Sequence, residues 1–505
     1  MIGIEQVLVS GGDARLSVDA GTGLNRFGCT PLPCSCALSF SSCTTTTISP
    51  RSFRRVQRDY ESLRASPAPE LDLEAGMEAL RGELKGLLGL TGTGTEIVFS
   101  PSGTDSTLHA LSLVRALIGN TALDCILPVS DETGSGVPLA LSGRHFGDST
   151  AEAVSVIQGS SIEGLNEGIT LISLPKRCKN GGLRPLGCQD QDIWEAVESS
   201  VEAGHHVLLQ VMDSSKLGTS SPSLECRRRI QRRFAGSVHF VVDACQMRLS
   251  RTRLQNYLTD GYLVLISGSK FFTGPPFSGA LLVPGSLAER LESLPLAAAG
   301  LRDYTSRWAW PVSWTRLRAA LPARTSFGQY FRWTAAIEEM QAYFAVPLDF
   351  RGRVLHEFSE MAATLIQSHA PECLLEDQTE QTLLSDDNSE FNTRTIFPFL
   401  VSHGSRWMPY ADTIALYKAL NQDMTAHIPS EIAAKICHVG QPVRIPLAEG
   451  KDAGALRICA DARMVSQLWS QHQANPNAFS LVQQQQEICT ILAKTALVAQ
   501  HLSRF

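Results

Sequence analysis

Six short apolar runs between residues 97 and 266 alternate with stretches of helical periodicity, and this alternation constrains the fold more than any other feature. The runs are Ile97–Phe99, Asp124–Val129, Ile169–Leu174, His206–Val211, Val238–Val242 and Tyr262–Ile266. Helix-like stretches such as Ser106–Ile118, Asp192–Val201 and Leu224–Phe234 lie between them. Strands alternating with helices predict an α/β fold: a mostly parallel sheet flanked by helices on both faces.

The flanking regions have a different texture. The first seventy residues read as irregular, with Gly11-Gly12-Asp13 and Gly21-Thr22-Gly23 turns and a low-complexity Cys43-Thr44-Thr45-Thr46-Thr47 stretch. Pro67-Ala68-Pro69 closes them, and Met77, Leu80, Leu84, Leu87 and Leu88 then fall on one helical face. Beyond about residue 310 come helices around Tyr330–Tyr343 and Gly352–Ser368 and a polar loop from Glu376 to Asn392. Strand-like Thr395–Val401, a helix at Ala411–Leu420, strand-like Val443–Pro446 and Leu456–Cys459, and a last helix through Ala499 complete the chain. The predicted division is an N-terminal arm (1–70), a large domain (71–310) and a smaller α+β domain (311–505). The Gln483–Gln486 run reads as the solvated face of the last helix.

Composition removes several classes of function. With 43% apolar and 19% charged residues, a 505-residue chain has ample core for two or three domains and is neither disordered nor a coiled coil. A net charge of −6, from 44 basic and 50 acidic residues, gives no general affinity for nucleic acid. No stretch reaches the roughly 18 apolar residues of a membrane span, and Met1-Ile2-Gly3-Ile4-Glu5 lacks the basic start of a secretory signal. The 13 cysteines, odd in number and scattered, suit reduced thiols in a cytoplasmic protein. Cys29, Cys34, Cys36 and Cys43 lack paired zinc-type spacing and a nearby histidine, so packing or pocket lining is expected of them and no metal.

Ligands in open α/β sheets bind at the carboxyl ends of the strands, so what each strand delivers there matters most. The first run leads into Ser100-Pro101-Ser102-Gly103-Thr104-Asp105 and a helix. Such a start is either an ordinary cap or a phosphate cradle of outward N–H groups and hydroxyls. It lacks the Gly-Lys-Ser/Thr of a nucleotide P-loop, and Gly92-Thr93-Gly94 precedes a strand, which a dinucleotide fingerprint does not. Val241-Val242-Asp243 puts a carboxylate at the sheet edge, either solvated in a turn or facing a cation. Ser267-Gly268-Ser269-Lys270, followed by Phe271-Phe272, sets a lysine beside apolar surface, either snorkelling outward or desolvated into a nucleophile. Together these are the fixtures of a pyridoxal 5'-phosphate site: a Schiff-base lysine, a carboxylate for the pyridinium proton and a phosphate loop.

At these residues the chain resembles the fold-type I pyridoxal-phosphate enzymes, most closely the class V aminotransferase and cysteine desulfurase group, over roughly residues 70–465. Ser267-Gly268-Ser269-Lys270 with Gly274-Pro275 is similar to the group's Ser-Gly-His-Lys ahead of Gly-Pro. Asp243-Ala244-Cys245-Gln246 is similar to its Asp-x-x-Gln/His, and Ser102-Gly103-Thr104 to its phosphate loop. The resemblance implies that Lys270 bears the cofactor and shuttles protons, that Asp243 faces the ring nitrogen and Gln246 the ring oxygen. It implies that Ser267, Ser269, Gly103 and Thr104 surround the phosphate. Arg457, in Ala455-Leu456-Arg457-Ile458-Cys459, would grip the substrate carboxylate, as a guanidinium fork does well. A homodimer is implied as well, with Arg324-Thr325-Ser326 near the partner's phosphate site.

Three departures stand out. Asp131-Glu132-Thr133-Gly134-Ser135-Gly136 offers no ring where the group stacks one on the cofactor. Ser214-Ser215-Lys216-Leu217-Gly218 puts Ser215 where the group has a cofactor-binding Asn. Val439, in Cys437-His438-Val439-Gly440-Gln441-Pro442, stands where desulfurases carry their nucleophilic Cys, which disfavours desulfuration. The expected activity is thus a reaction at the α-carbon of an amino acid or related amine: transamination, decarboxylation, elimination or carbon–carbon bond formation. Cysteine desulfuration and a catalytically silent scaffold are the alternatives. Of the remaining motifs, Arg227–Arg233 reads as a solvated helix face and His205-His206 as a turn pair, while Trp308, Trp310 and Trp314 either pack the domain junction or line the pocket.

Overall fold

In the computed structural model, which describes residues 3–34, 36–296, 298–369, 389–404, 406–475 and 479–502, each of the six apolar runs is a strand. After a short strand β1 (Ala37–Ser39) come β2 (Glu96–Ser100), β3 (Leu123–Pro128), β4 (Ile169–Leu174), β5 (His206–Met212), β6 (Val238–Asp243) and β7 (Leu263–Ser267). With β8 (Gly279–Val283) they form a seven-stranded sheet in the order β2-β8-β7-β6-β5-β3-β4. Strands β7, β6, β5, β3 and β4 are parallel to their neighbours in that order. β8 is antiparallel to β7 and β2, because the chain doubles back after β7 without an intervening helix. Strands β3, β7 and β8 are buried along their whole length, as strands covered on both faces must be. The helix Gly103–Ile118 packs against β2, β7 and β8, and Leu186–Glu202 against β3, β4 and β5.

The C-terminal part holds β9 (Ile396–Leu400), a small hairpin of β10 (Ser402–His403) and β11 (Arg406–Trp407), β12 (Ile436–His438), β13 (Gly440–Pro446) and β14 (Asp452–Cys459). β14 lies between β13 and β9 in an antiparallel sheet. The helices Phe327–Phe344 and Leu348–His369 connect the two sheets in sequence. Most of the expected polar loop Glu376–Asn392 lies outside the described residues.

The N-terminal seventy residues are not the irregular arm that the sequence suggests. Pro50–Ala65 is a helix, with Ser49 accepting the Ser52 N–H and Pro50 in its first turn. Its arginine-rich outer face masks an apolar stripe of Phe53, Val56, Tyr60 and Leu63, which packs with Phe331 and Ala335. β1 pairs in parallel with β12, and the hydroxyl-rich stretch after it is buried, with Ser42 Oγ donating to the Ala460 carbonyl and Thr46 Oγ1 to that of Thr273. The fully buried Arg332 guanidinium donates to the carbonyls of Leu8, Ser10, Gly11 and Phe277, tying the first residues to the body. Hydrogen bonds from charged donors are worth about 1.5–3 kcal/mol each, so this single side chain is a strong tether.

Among the described residues no helix is long and apolar enough to cross a membrane, and no group of His, Cys, Asp and Glu could hold a metal ion. Arg228, Arg229, Arg232 and Arg233 are exposed on the helix Leu224–Arg233, whereas Arg227 is buried over the Tyr257 ring. His206 opens β5 and His205 pairs with Asp124 at 3.1 Å. Trp308, Trp310 and Trp314 are buried, with Trp310 packed against His109 and Trp314. None of the three lines the cavity described next.

Candidate active site

The carboxyl ends of β2, β6 and β7 open on one cavity of about 220 Å³. Ser102, Gly103, Thr104, Asp243, Ser267, Ser269, Lys270 and Arg457, residues scattered over the sequence, all line it. Here the helix Gly103–Ile118 presents its N-terminus, with Ser102 as the cap accepting the Asp105 N–H. That end carries unpaired N–H groups and a partial positive charge suited to an anion. A Cβ on Gly103 would lie 2.6 Å from Cys245 Sγ, so only glycine lets this turn sit against the β6 loop. Arg15 joins the same end, 3.4 Å from Ser102 Oγ and paired with Asp13 at 2.6 Å.

Asp243 ends β6. Its carboxylate accepts the Cys245 N–H at 3.1 Å and the Gln210 amide at 3.4 Å, which fixes its orientation. Lys270 follows β7 through Ser267-Gly268-Ser269, a turn braced by Ser267 Oγ donating to the Cys245 carbonyl. Cβ atoms on Gly268 and Gly274 would lie 2.4 and 2.7 Å from Ala336 Cβ, so these glycines permit the close approach of the helix Phe327–Phe344. Phe271 and Phe272 do not surround the Lys270 amine. They point into a cluster with Tyr343, Phe344 and Phe391, and so anchor the backbone on which the lysine sits.

Arg457, on β14, is 2% exposed. Its Nη atoms donate to the Lys216 carbonyl, Thr44 Oγ1 and the Gln441 carbonyl, while Nε has no partner among the described residues. The fork is thus held rigid, with N–H capacity left over.

Two expected cofactor contacts lie elsewhere. Ser215 is buried, donates to Glu132 and accepts the Leu217 and Thr219 N–H groups, so its hydroxyl is consumed in its own turn. Gln246 donates to the Cys43 carbonyl and does not line the cavity; it clamps the N-terminal segment across the site. In their place stand Lys216 and Thr44, of which no role in the site was expected, and Cys43, for which pocket lining was one of the two expectations. Lys216 lines the cavity, and Cys43 and Thr44 enter from the N-terminal segment. The cavity's rings are Phe27 and Phe277, while Gly134, Ser135 and Val137 occupy the stretch that lacked a stacking ring. Burial pushes the Lys216 amine down to about 8, aided by the nearby Arg457 and Lys270 cations. Burial alone would push the Cys43 thiol up, but a hydrogen bond from Cys459 and the charges of Arg457, Arg248 and Lys270 bring it below its ordinary value.

The donor set fits pyridoxal phosphate: a helix start, hydroxyls and a glycine-only cradle at one end, a carboxylate and a lysine at the other. No family model and no curated protein matches the chain by sequence. Solved structures do match. A C-DES mutant with glycine covalently linked to its PLP cofactor aligns with a TM-score of 0.55 at 15% identity, over 92% of this chain and 97% of that one. A NifS-like protein gives 0.53 at 13% identity, over 91% and 98%. The apo cysteine desulfurase from Thermococcus onnurineus NA1 gives 0.51 at 14%, over 92% and 95%. The chain therefore has the α/β fold of these three structures, shared over nearly its whole length.

Proposed function

We propose that this chain is a pyridoxal-phosphate-dependent enzyme acting on an amino acid or related amine at its α-carbon. The convergence of Lys270, Asp243 and the helix start at Ser102–Thr104 on one cavity carries the reading. Pyridoxal phosphate, when bound, supplies an electron sink for cleavage of a bond at that carbon. Ser102, Gly103, Thr104 and Ser269 would hold the phosphate, Ser267 would brace the turn before Lys270 because its hydroxyl proton goes to the Cys245 carbonyl, and Asp243 would hold a proton at the ring nitrogen. Lys270 Nζ moves a proton to and from the α-carbon, and Arg457 orients the substrate by its carboxylate. Arg457 and the cavity walls would set which bond at the α-carbon is cleaved, the choice that separates transamination from decarboxylation, elimination and carbon–carbon bond formation. Incubation with pyridoxal phosphate is expected to give a visible absorption band that survives dialysis and changes on adding amino acids. A protein that stays colourless would be the catalytically silent scaffold instead.

The reading extends to a homodimer in the cytoplasm. Arg324, 40% exposed in its side chain, is the residue that the resemblance assigns to a partner's phosphate site, and the twelve described cysteines are all free thiols, as a reducing compartment favours. Light scattering should then give twice the chain mass.

Cys43 favours a second reading, sulfur abstraction from cysteine. Its thiolate would attack the substrate sulfur, forming a persulfide, while the carbon left behind takes up a proton to give alanine. With dithiothreitol as reductant, wild-type protein should release sulfide from cysteine and Cys43→Ala should not, though it keeps its spectral response to other amino acids. Sulfide release undiminished in Cys43→Ala removes this reading.

A further inference from the structure

The cavity carries more positive charge than one carboxylated amino acid can use. Arg15, Arg26, Lys216, Lys270 and Arg457 line it against a single carboxylate, Asp243. Arg15 is already paired with Asp13 at the phosphate end, and Lys270 is committed to the cofactor in the reading above. Arg457 takes the α-carboxylate. Lys216 remains, its backbone carbonyl 3.0 Å from Arg457 Nη1 and its amine without a hydrogen bond or ion pair among the described residues. The neighbouring Glu132 cannot serve it, being held by Arg177 at 3.0 Å and by Ser215 and Thr219. A half-buried ammonium with no ion-pair partner among the described residues, beside two further cations, has the chemistry of an anion site.

We infer that Lys216 binds a second acidic group on the substrate, so that the enzyme takes α-amino acids with an anionic side chain, the amino dicarboxylates and their sulfinate analogues. The inference rests on the pyridoxal-phosphate reading and adds its substrate class. Arg26, exposed at the mouth of the cavity, adds attraction for a doubly anionic ligand.

The test uses cofactor-loaded protein and unreactive probes: succinate and glutarate against butyrate and valerate, with dissociation constants read from tryptophan fluorescence and the visible band. Aspartate against asparagine, and glutamate against glutamine, then compare charge at equal size. The dianions are expected to bind about tenfold or more tightly than their singly charged counterparts, as charge-assisted hydrogen bonds imply. Lys216→Met should erase that preference while leaving monoanion affinity and cofactor loading unchanged. The preference should also decline as pH rises through about 8, because Lys216 loses its proton there. The amine feels Arg457, Lys270, Glu132 and Asp243, and Cys43 lines the same cavity; a decline equally present in Lys216→Met would belong to one of those groups.

Equal affinity for dianions and monoanions overturns the inference. So does a Lys216→Met protein whose band shifts or whose cofactor affinity falls before any probe is added, since Lys216 would then serve the ring. Failure to load cofactor at all overturns the earlier reading instead, and it shows before any probe is used.

Discussion

Lys270→Ala is expected to abolish covalent capture of pyridoxal phosphate and to slow turnover about 10³-fold or more, the upper range for losing a positioned proton-transfer group. The wild-type protein, reduced with borohydride in the presence of the cofactor, should carry the added mass on the peptide containing Lys270, and the variant should carry none. The lysine lies just beyond β7 on a turn whose shape is set by its neighbours: Gly268 and Gly274 against Ala336, Ser267 against the Cys245 carbonyl, and Phe271 and Phe272 in the aromatic cluster. Its own amine makes no hydrogen bond or ion pair among the described residues, so truncation leaves the turn intact and the melting temperature nearly unchanged. Partial rescue of turnover by a small added amine would show that the loss is chemical. An unaltered rate in the variant would remove Lys270 from the mechanism.

Asp243→Asn is expected to retain the cofactor but to lower turnover about 10²–10³-fold, the scale for losing one preorganised electrostatic contact. A carboxylate at the ring nitrogen keeps a proton there, and the protonated ring draws electrons from the substrate; a neutral amide of the same shape does not. The substitution is nearly isosteric, and one amide oxygen can still accept the Cys245 N–H. The opposite edge becomes an amide facing the Gln210 amide, where the carboxylate accepted before. Stability should therefore change by no more than about 1–2 kcal/mol, the worth of one such hydrogen bond. The decisive measurement is the rate of α-proton exchange in a bound amino acid by NMR. If that rate fell no further than cofactor affinity, Asp243 would be a phosphate-remote anchor and not the partner of the ring.

Much of this was legible from local pattern. Apolar runs alternating with helical periodicity located every strand of the main sheet except β8, whose Gly279-Ala280-Leu281-Leu282-Val283 follows the Lys270 loop without a helix to announce it. Ser102-Gly103-Thr104, Asp243 and Ser267-Gly268-Ser269-Lys270 were legible because each follows a strand, and parallel strands carry their carboxyl ends to one edge. The helix Pro50–Ala65 was not, because its arginines obscure the stripe that meets Phe331 and Ala335.

Sequence by itself determined the α/β architecture and which loops face the ligand edge, since both follow from the direction in which each strand delivers the chain. Side-chain assignment within those loops belonged to the tertiary structure. Gln246 reaches Cys43, 203 residues away in sequence, instead of the cavity, and Ser215 turns to Glu132, leaving the cavity wall to Lys216. Arg457 is oriented by Thr44, 413 residues before it. Periodicity reports how a segment meets its immediate neighbours. Which polar group finds which partner depends on packing between distant segments, where each buried donor must be satisfied by whatever the fold brings near.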